Sequence, residues 1–154
     1  MKKLPESYVN RMKAILGDEY PLYEKALCDE PVKAFRVNTD KISVEDFAKI
    51  DGFSGGKIPY TENGFYLNYD KIGNHPYHHA GMIYVQEPAA MAPAESIDIK
   101  PDWKILDMCA APGGKSTQLK NKLQEKGILV SNEIIPSRCK ILTGVKVAES
   151  DLSD

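Results

Sequence analysis

One segment of the sequence joins an apolar run, a small-residue loop and a polar helix start. Residues 105–108 are largely apolar, and residues 109–114 read Cys-Ala-Ala-Pro-Gly-Gly. Gly113 and Gly114 have no Cβ, so main-chain atoms there can approach a ligand closely. The helix pattern begins at 115–117, and a helix N-terminus presents free N–H groups. In an open α/β sheet such a turn lies at the carboxyl end of a strand, where ligands bind.

The residues around this loop predict a parallel βαβ unit. Hydrophobic patterning predicts a strand over 103–108, a helix over 116–126 and a second strand over 128–131. Gly127 is positioned to end the helix as a C-cap residue. We therefore predict an α/β fold with an incomplete Rossmann-like sheet, preceded by a small α+β N-terminal subdomain. In that subdomain, Ser43 is expected to cap a helix with an acid three residues later.

Composition and charge limit the class of protein. The 154 residues suit about one domain, and 42% hydrophobic with 27% charged residues is ordinary for a globular chain. A net charge of −2 gives no global preference for nucleic acid, so any such contact needs a local basic surface. Three cysteines without paired spacing predict no zinc or disulfide framework. With neither a signal peptide nor a membrane span of ~18 apolar residues, a cytoplasmic protein without metal or membrane contact is expected.

An acidic residue follows the second predicted strand. Glu133 stands 20 positions after Gly113, where an acid accepts hydrogen bonds from ribose hydroxyls in nucleotide-binding sheets. The loop matches neither Gly-x-x-x-x-Gly-Lys nor Gly-x-Gly-x-x-Gly. The pattern favours a nucleoside site of another type. The alternatives are a plain tight turn and a solvated acid.

The string Asp-Met-Cys-Ala-Ala-Pro-Gly-Gly-Lys, residues 107–115, resembles a known motif. It is similar to the first methyltransferase motif of the Sun/Fmu (NOP2/Sun-type) family of RNA cytosine-C5 methyltransferases, which has bacterial ribosomal-RNA members. Weaker similarities lie at 35–39 (Phe-Arg-Val-Asn-Thr), at 85–91, and at 129–133 followed by Arg138. The resemblance covers nearly all of residues 1–142.

The resemblance implies S-adenosylmethionine as cofactor and RNA as partner, with ribosomal RNA favoured over tRNA. The cofactor's methionine and sugar would be wrapped by the backbone of Cys109, Ala110, Ala111, Pro112, Gly113, Gly114 and Lys115. Glu133 would hold the ribose, and Asp107 would hold the loop by accepting N–H bonds, a role preferred over a direct part in catalysis. Three basic residues keep two readings each: Lys115 as a carboxylate ligand or a surface ion pair, Arg138 as a site residue or an ion pair, Arg36 as a phosphate ligand or a fold-stabilising donor.

The family chemistry implies a cysteine that this sequence lacks. Cytosine C5 becomes nucleophilic when a cysteine thiolate adds to C6, and the family's nucleophile lies in a Thr-Cys motif, with a second cysteine in Pro-Cys. Neither dipeptide occurs here, and Cys109 belongs to the cofactor loop. No catalytic residue is therefore assigned. We expect an N-terminal fragment that is marginally stable and inactive alone, with a possible partner chain supplying the missing half.

Three regions are expected along the chain: an RNA-binding α+β subdomain over 1–100, the start of a methyltransferase domain over 101–144, and a divergent, disordered tail over 145–154. The expected function is that of a truncated S-adenosylmethionine-dependent RNA cytosine-C5 methyltransferase. The alternatives are an RNA- or cofactor-binding module, half of a split enzyme, or a nonfunctional remnant.

Overall fold

A computed structural model describes residues 4–144, with the side chains of 143 and 144 excepted. The expected tail over 145–154 lies outside the described residues. Contacts divide the chain into a unit up to Pro31 and a unit from Val32 onward. The first unit contains helix α1 (Glu6–Leu16), a 3₁₀ turn (Gly17–Glu19) and helix α2 (Tyr20–Ala26). Gly17 ends α1 with φ of 51°, a conformation that glycine adopts without a Cβ penalty.

The second unit begins with a four-stranded antiparallel sheet. Its elements are β1 (Ala34–Val37), α3 (Val44–Ile50), β2 (Ser54–Lys57), β3 (Gly64–Leu67), a 3₁₀ turn (Ile72–Asn74), α4 (Pro76–His79) and β4 (Ile83–Val85). The strand order is β2-β3-β1-β4, so β1 is a central strand. Ser43 Oγ accepts the Asp46 N–H at 3.0 Å, and the predicted helix cap is confirmed.

An aromatic cluster forms the core of this sheet. The ring of Phe35 on β1 lies 5.2 Å from that of Phe53 and 5.7 Å from those of Phe47 and Phe65, measured between centroids. Phe35 and Phe47 are fully buried. Aromatic pairs at such spacings add to the free energy of burying their surface. The antiparallel sheet therefore has a core of its own.

A parallel pair of strands follows. Its elements are α5 (Pro88–Glu95), β5 (Lys104–Asp107), α6 (Gly114–Leu123), β6 (Ile128–Ser131) and α7 (Pro136–Gly144). β5 and β6 pair in parallel from Lys104 opposite Ile128 to Asp107 opposite Ser131. The predicted α/β fold with an incomplete parallel sheet is thus confirmed.

One face of the parallel pair is uncovered among the described residues. The side chains that alternate onto it include Leu106 on β5 (59% exposed) and Ile128 and Val130 on β6 (both 54% exposed). Parallel sheets are ordinarily covered on both faces, and their strands are correspondingly apolar. The two strands are as apolar as those of a buried sheet, yet this face is exposed to solvent.

The predicted role of Gly127 is wrong. α6 ends at Leu123, and Gln124, in the left-handed conformation with φ of 50°, is its C-cap. Gly127 comes three residues later, immediately before β6, where the backbone passes close to another segment. A Cβ there would lie 2.4 Å from the carbonyl oxygen of Trp103 and 2.6 Å from that of Pro101. Glycine is needed at this position because of close packing.

We expect Gly127→Ala to lower the free energy of unfolding by about 1–3 kcal/mol, the usual cost of overpacking. For a chain of this size, each kcal/mol corresponds to about 2–4 °C in Tm. Gly52→Ala is the matched control, because no atom lies within 4 Å of its Cβ position. Thermal unfolding followed by circular dichroism compares the two variants. Equal melting temperatures would contradict the packing role of Gly127.

Candidate functional site

Asp107 fixes the loop that follows β5. One carboxylate oxygen accepts the Cys109 N–H at 3.2 Å, and the other accepts the Ser116 hydroxyl at 2.7 Å. Ser116 lies in the first turn of α6 and is fully buried. The carboxylate therefore joins both ends of the loop, as the family resemblance implied for Asp107.

The loop after β6 lies against the loop after β5. Asn132 N–H donates to the Asp107 carbonyl at 2.8 Å, and Ala110 N–H donates to the Asn132 carbonyl at 2.9 Å. The Asn132 side-chain amide also donates to the Met108 carbonyl at 3.0 Å. These bonds extend the parallel pairing past the strand ends. They bring the glycine loop and the segment around Glu133 to the same edge of the sheet.

The glycine loop presents part of its surface to solvent. Ala110, Ala111 and Gly113 are buried, whereas the other members are exposed or half-buried (Cys109, Pro112, Gly114 and Lys115). Gly113 has φ of 116° and precedes α6, whose N-terminus has no side-chain cap. Lys115 has no ion-pair partner within the described part of the chain. The free N–H groups of this first turn and the ammonium group form a site suited to an anionic group.

Glu133 is directed toward α7. Its carboxylate accepts the Ile135 N–H at 3.0 Å and lies 3.4 Å from the Arg138 guanidinium, and the Glu133 side chain is only 4% exposed. Arg138 also donates to the Ala111 carbonyl at 2.5 Å. Arg138 therefore makes the ion pair that was one of its two predicted roles. In this conformation the Glu133 carboxylate must turn outward before it can contact a ligand.

Arg36 on β1 reaches the start of α6. Its side chain is 1% exposed. It donates at 2.8 Å to each of three acceptors: Gln86 Oε1, the Gly114 carbonyl and Thr117 Oγ1. Burial lowers the pKa of Arg36 to about 10, which still leaves the guanidinium charged at neutral pH. Of its two predicted roles, the fold-stabilising one is confirmed.

Two further residues of this region were not singled out from the sequence. Tyr84 donates its hydroxyl to the Pro112 carbonyl at 3.3 Å. A Cβ on Gly114 would lie 3.3 Å from Tyr84 and from Gln86, so both side chains pack directly on the loop. Gln86 belongs to the 85–91 segment that resembles the family, and this resemblance is the sequence feature that could have pointed to it as a residue of the site. Tyr84 had none, because its contact partner lies 28 residues away.

No group of three or more His, Cys, Asp or Glu side chains between residues 4 and 144 is placed to hold a metal ion. Within the same range, every helix is too short or too polar to cross a bilayer.

Two family models match successive parts of the chain. The N-terminal domain of 16S rRNA methyltransferase RsmF matches residues 4–88, and 16S rRNA methyltransferase RsmB/F matches residues 94–147. The chain belongs to the RsmF family of rRNA methyltransferases. Methyltransferases of the RsmB/F type depend on S-adenosylmethionine. The predicted Sun/Fmu-type resemblance is confirmed.

Individual relatives agree with the family. Ribosomal RNA small subunit methyltransferase F of Vibrio atlanticus is 36% identical over 150 residues, which cover 90% of this chain and 32% of the relative. A solved methyltransferase homolog from Pyrococcus horikoshii is 28% identical with a TM-score of 0.74, covering 92% of this chain and 54% of that one. NSun6 from the same organism, solved with SFG, has a TM-score of 0.81 at 18% identity, over 94% and 63% of the two chains, and shows the shared fold. The chain spans about a third of the length of its curated relatives.

We expect Arg36→Lys to destabilise the protein by about 1.5–3 kcal/mol, because one ammonium group cannot replace the forked guanidinium bonds to Gln86, Gly114 and Thr117. Arg11→Lys on the exposed surface of α1 is the matched control and should leave the unfolding curve unchanged. Chemical denaturation gives both free energies. If the two variants proved equally stable, the Arg36 network would contribute nothing to holding the loop.

Proposed function

We propose that the loop after β5 binds S-adenosylmethionine, and that the chain is the N-terminal part of an S-adenosylmethionine-dependent rRNA cytosine-C5 methyltransferase. The observation that carries the proposal is the side-by-side placement of the two loops at the carboxyl ends of β5 and β6. Ligands of open α/β sheets bind at this edge. Membership of the rRNA methyltransferase family supports the substrate class. We propose the division already given: an RNA-binding subdomain over 1–100 and the start of the methyltransferase domain over 101–144.

The residues of the loop suit this cofactor. Residues 109–115 would contact it through the backbone, with the uncapped turn of α6 and the exposed Lys115 directed to its carboxylate. Glu133 would accept hydrogen bonds from the ribose hydroxyls after its carboxylate turns outward from Arg138. When bound, the cofactor supplies a methyl group activated by a sulfonium centre. The loop residues bind and orient, and none of them has to exchange a proton.

None of the three cysteines of this sequence lies in a dipeptide that carries the nucleophile of cytosine methylation in the family. Cys109 follows Met108 in the cofactor loop, Cys139 follows Arg138, and Cys28 follows Leu27, so no Thr-Cys or Pro-Cys dipeptide is present. Cys139 donates its thiol to the Glu133 carbonyl at 3.1 Å, which is a structural contact. We therefore propose that these 154 residues alone bind the cofactor without transferring its methyl group.

A second candidate is that the chain acts as one half of a two-chain enzyme. The uncovered apolar face of the β5–β6 pair favours this reading, because exposed apolar patches mark interaction sites. A chain carrying the remaining strands and the Thr-Cys segment would cover the face and complete the site. The cofactor-binding role is the same in both readings.

Calorimetric titration with S-adenosylmethionine and with its demethylated product tests the cofactor site. We expect binding to the folded chain, and at least tenfold weaker binding by Gly113→Ala, because φ of 116° is strained for any residue with a Cβ. Gly73→Ala is the control, since its Cβ position has no atom within 4 Å. The absence of heat from a sample shown to be folded would overturn the proposal.

A methyl-transfer assay tests the missing thiol. With tritiated S-adenosylmethionine and unmethylated 16S rRNA, we expect no incorporation by the purified chain. Incorporation is expected once a polypeptide with the Thr-Cys segment of a relative is added. Robust transfer by the chain alone would show that another residue serves as nucleophile.

A further inference from the structure

A cavity of about 390 Å³ lies beside the glycine loop, between β1, α4, β4 and α6. Its lining residues include four basic side chains, and none of those described carries a carboxylate: Arg36, Lys41, His78 and His79. The volume falls in the range of small-molecule sites, roughly 300–1,000 Å³. The composition is that of a site for an anion.

The basic groups of the cavity have unused donor capacity. Lys41 donates to the Ala80 carbonyl and has no ion-pair partner among the described residues, so two of its three N–H groups are left. The rings of His78 and His79 lie 5.8 Å apart, and His79 is exposed. His78 Nδ1 is buried and has no hydrogen-bond partner within the described chain. Buried polar atoms are ordinarily hydrogen-bonded, so the unpaired Nδ1 leaves the His78 ring with hydrogen-bonding capacity.

The guanidinium of Arg36 adds positive charge to the wall of this cavity. Its Nε and Nη2 are fixed by Gln86, Gly114 and Thr117, and its Nη1 donates to Asn121 Oδ1 at 3.5 Å, so the guanidinium acts here through its positive field. The larger groove of the same unit, about 1350 Å³, differs in sign, since six carboxylates and two lysines line it. A phosphate group is therefore attracted to the smaller cavity and repelled by the larger groove.

The cavity shares two walls with the glycine loop. Tyr84 lines it and donates to the Pro112 carbonyl, and Thr117 lines it and donates to the Gly113 carbonyl at 2.9 Å. A strand of RNA whose phosphate lay here would pass directly beside the loop. We propose that the cavity of Lys41, His78 and His79 binds a phosphate of the RNA backbone next to the nucleotide to be methylated. This inference rests on the proposed function and names the contact that positions its substrate.

Fluorescence anisotropy with a labelled single-stranded RNA measures the contact. We expect Lys41→Gln and His79→Gln each to weaken RNA binding about fivefold. The salt dependence of log Kd should fall by about 0.7 for the lysine, the value for one lost phosphate contact on a single strand. Lys41→Arg should restore the affinity, because the charge is retained. Lys126→Gln, at an exposed lysine outside the cavity, is the control and should bind as the wild type does.

The same samples distinguish an RNA phosphate from a free phosphate or a mononucleotide as the ligand of the cavity. They also test the cavity proposal separately from the proposed cofactor site. Inorganic phosphate and cytidine monophosphate are titrated as competitors, and we expect displacement only at concentrations far above the RNA Kd. Equal RNA affinity in wild type and Lys41→Gln, or binding of the mononucleotide without RNA binding, would overturn the cavity assignment. S-adenosylmethionine titrations of the cavity variants should match the wild type. If the wild-type chain did not bind S-adenosylmethionine, the proposed cofactor site at the loop after β5 would be rejected instead.

Discussion

The buried guanidinium of Arg36 is the constraint on which the second unit depends. A charge this deeply buried is costly unless its donors are satisfied. Its acceptors are a side chain at the end of β4 and two groups in the first turn of α6. These acceptors can be met only when β1, β4 and the start of α6 lie together. The geometry of the glycine loop is therefore set partly by Arg36 on β1, a residue 78 positions before Gly114.

The two sheets differ in how much of their apolar surface the described elements cover. The antiparallel sheet buries Phe35, Phe47 and Phe53 within its own elements. The parallel pair has half-buried residues on one face and exposed apolar side chains on the other. The two loops at the carboxyl ends of β5 and β6 can be held in place by each other, even though the sheet has only these two strands among the described residues. This explains how the loops after β5 and β6 are ordered by mutual hydrogen bonds although one sheet face is open.

Local patterns in the sequence predicted the parts of the fold that depend on local physics. The strand at 128–131 and the cap at Ser43 each follow from residues within about ten positions of one another, whereas the role of Asp107 is implied by the family resemblance. Gly127 was misassigned because a C-cap and a close approach both call for glycine, and only the distance to Trp103 distinguishes them. Tyr84 and the three acceptors of Arg36 depend on contacts between distant segments. No periodicity or spacing encodes such contacts.

The arrangement of Glu133 and Arg138 bears on how the candidate site works. Arg138 binds the Ala111 carbonyl of the first loop and the carboxylate of the second, so one side chain links both. The main chain of each loop is otherwise fixed by bonds within the protein. A nucleoside ligand would therefore meet a preformed backbone surface, and preorganisation reduces the ordering cost of binding. In the proposed cofactor-binding role the adjustment would fall on Glu133, whose carboxylate would exchange its 3.4 Å ion pair and its bond from the Ile135 N–H for ribose hydroxyls while Arg138 keeps its bond to Ala111.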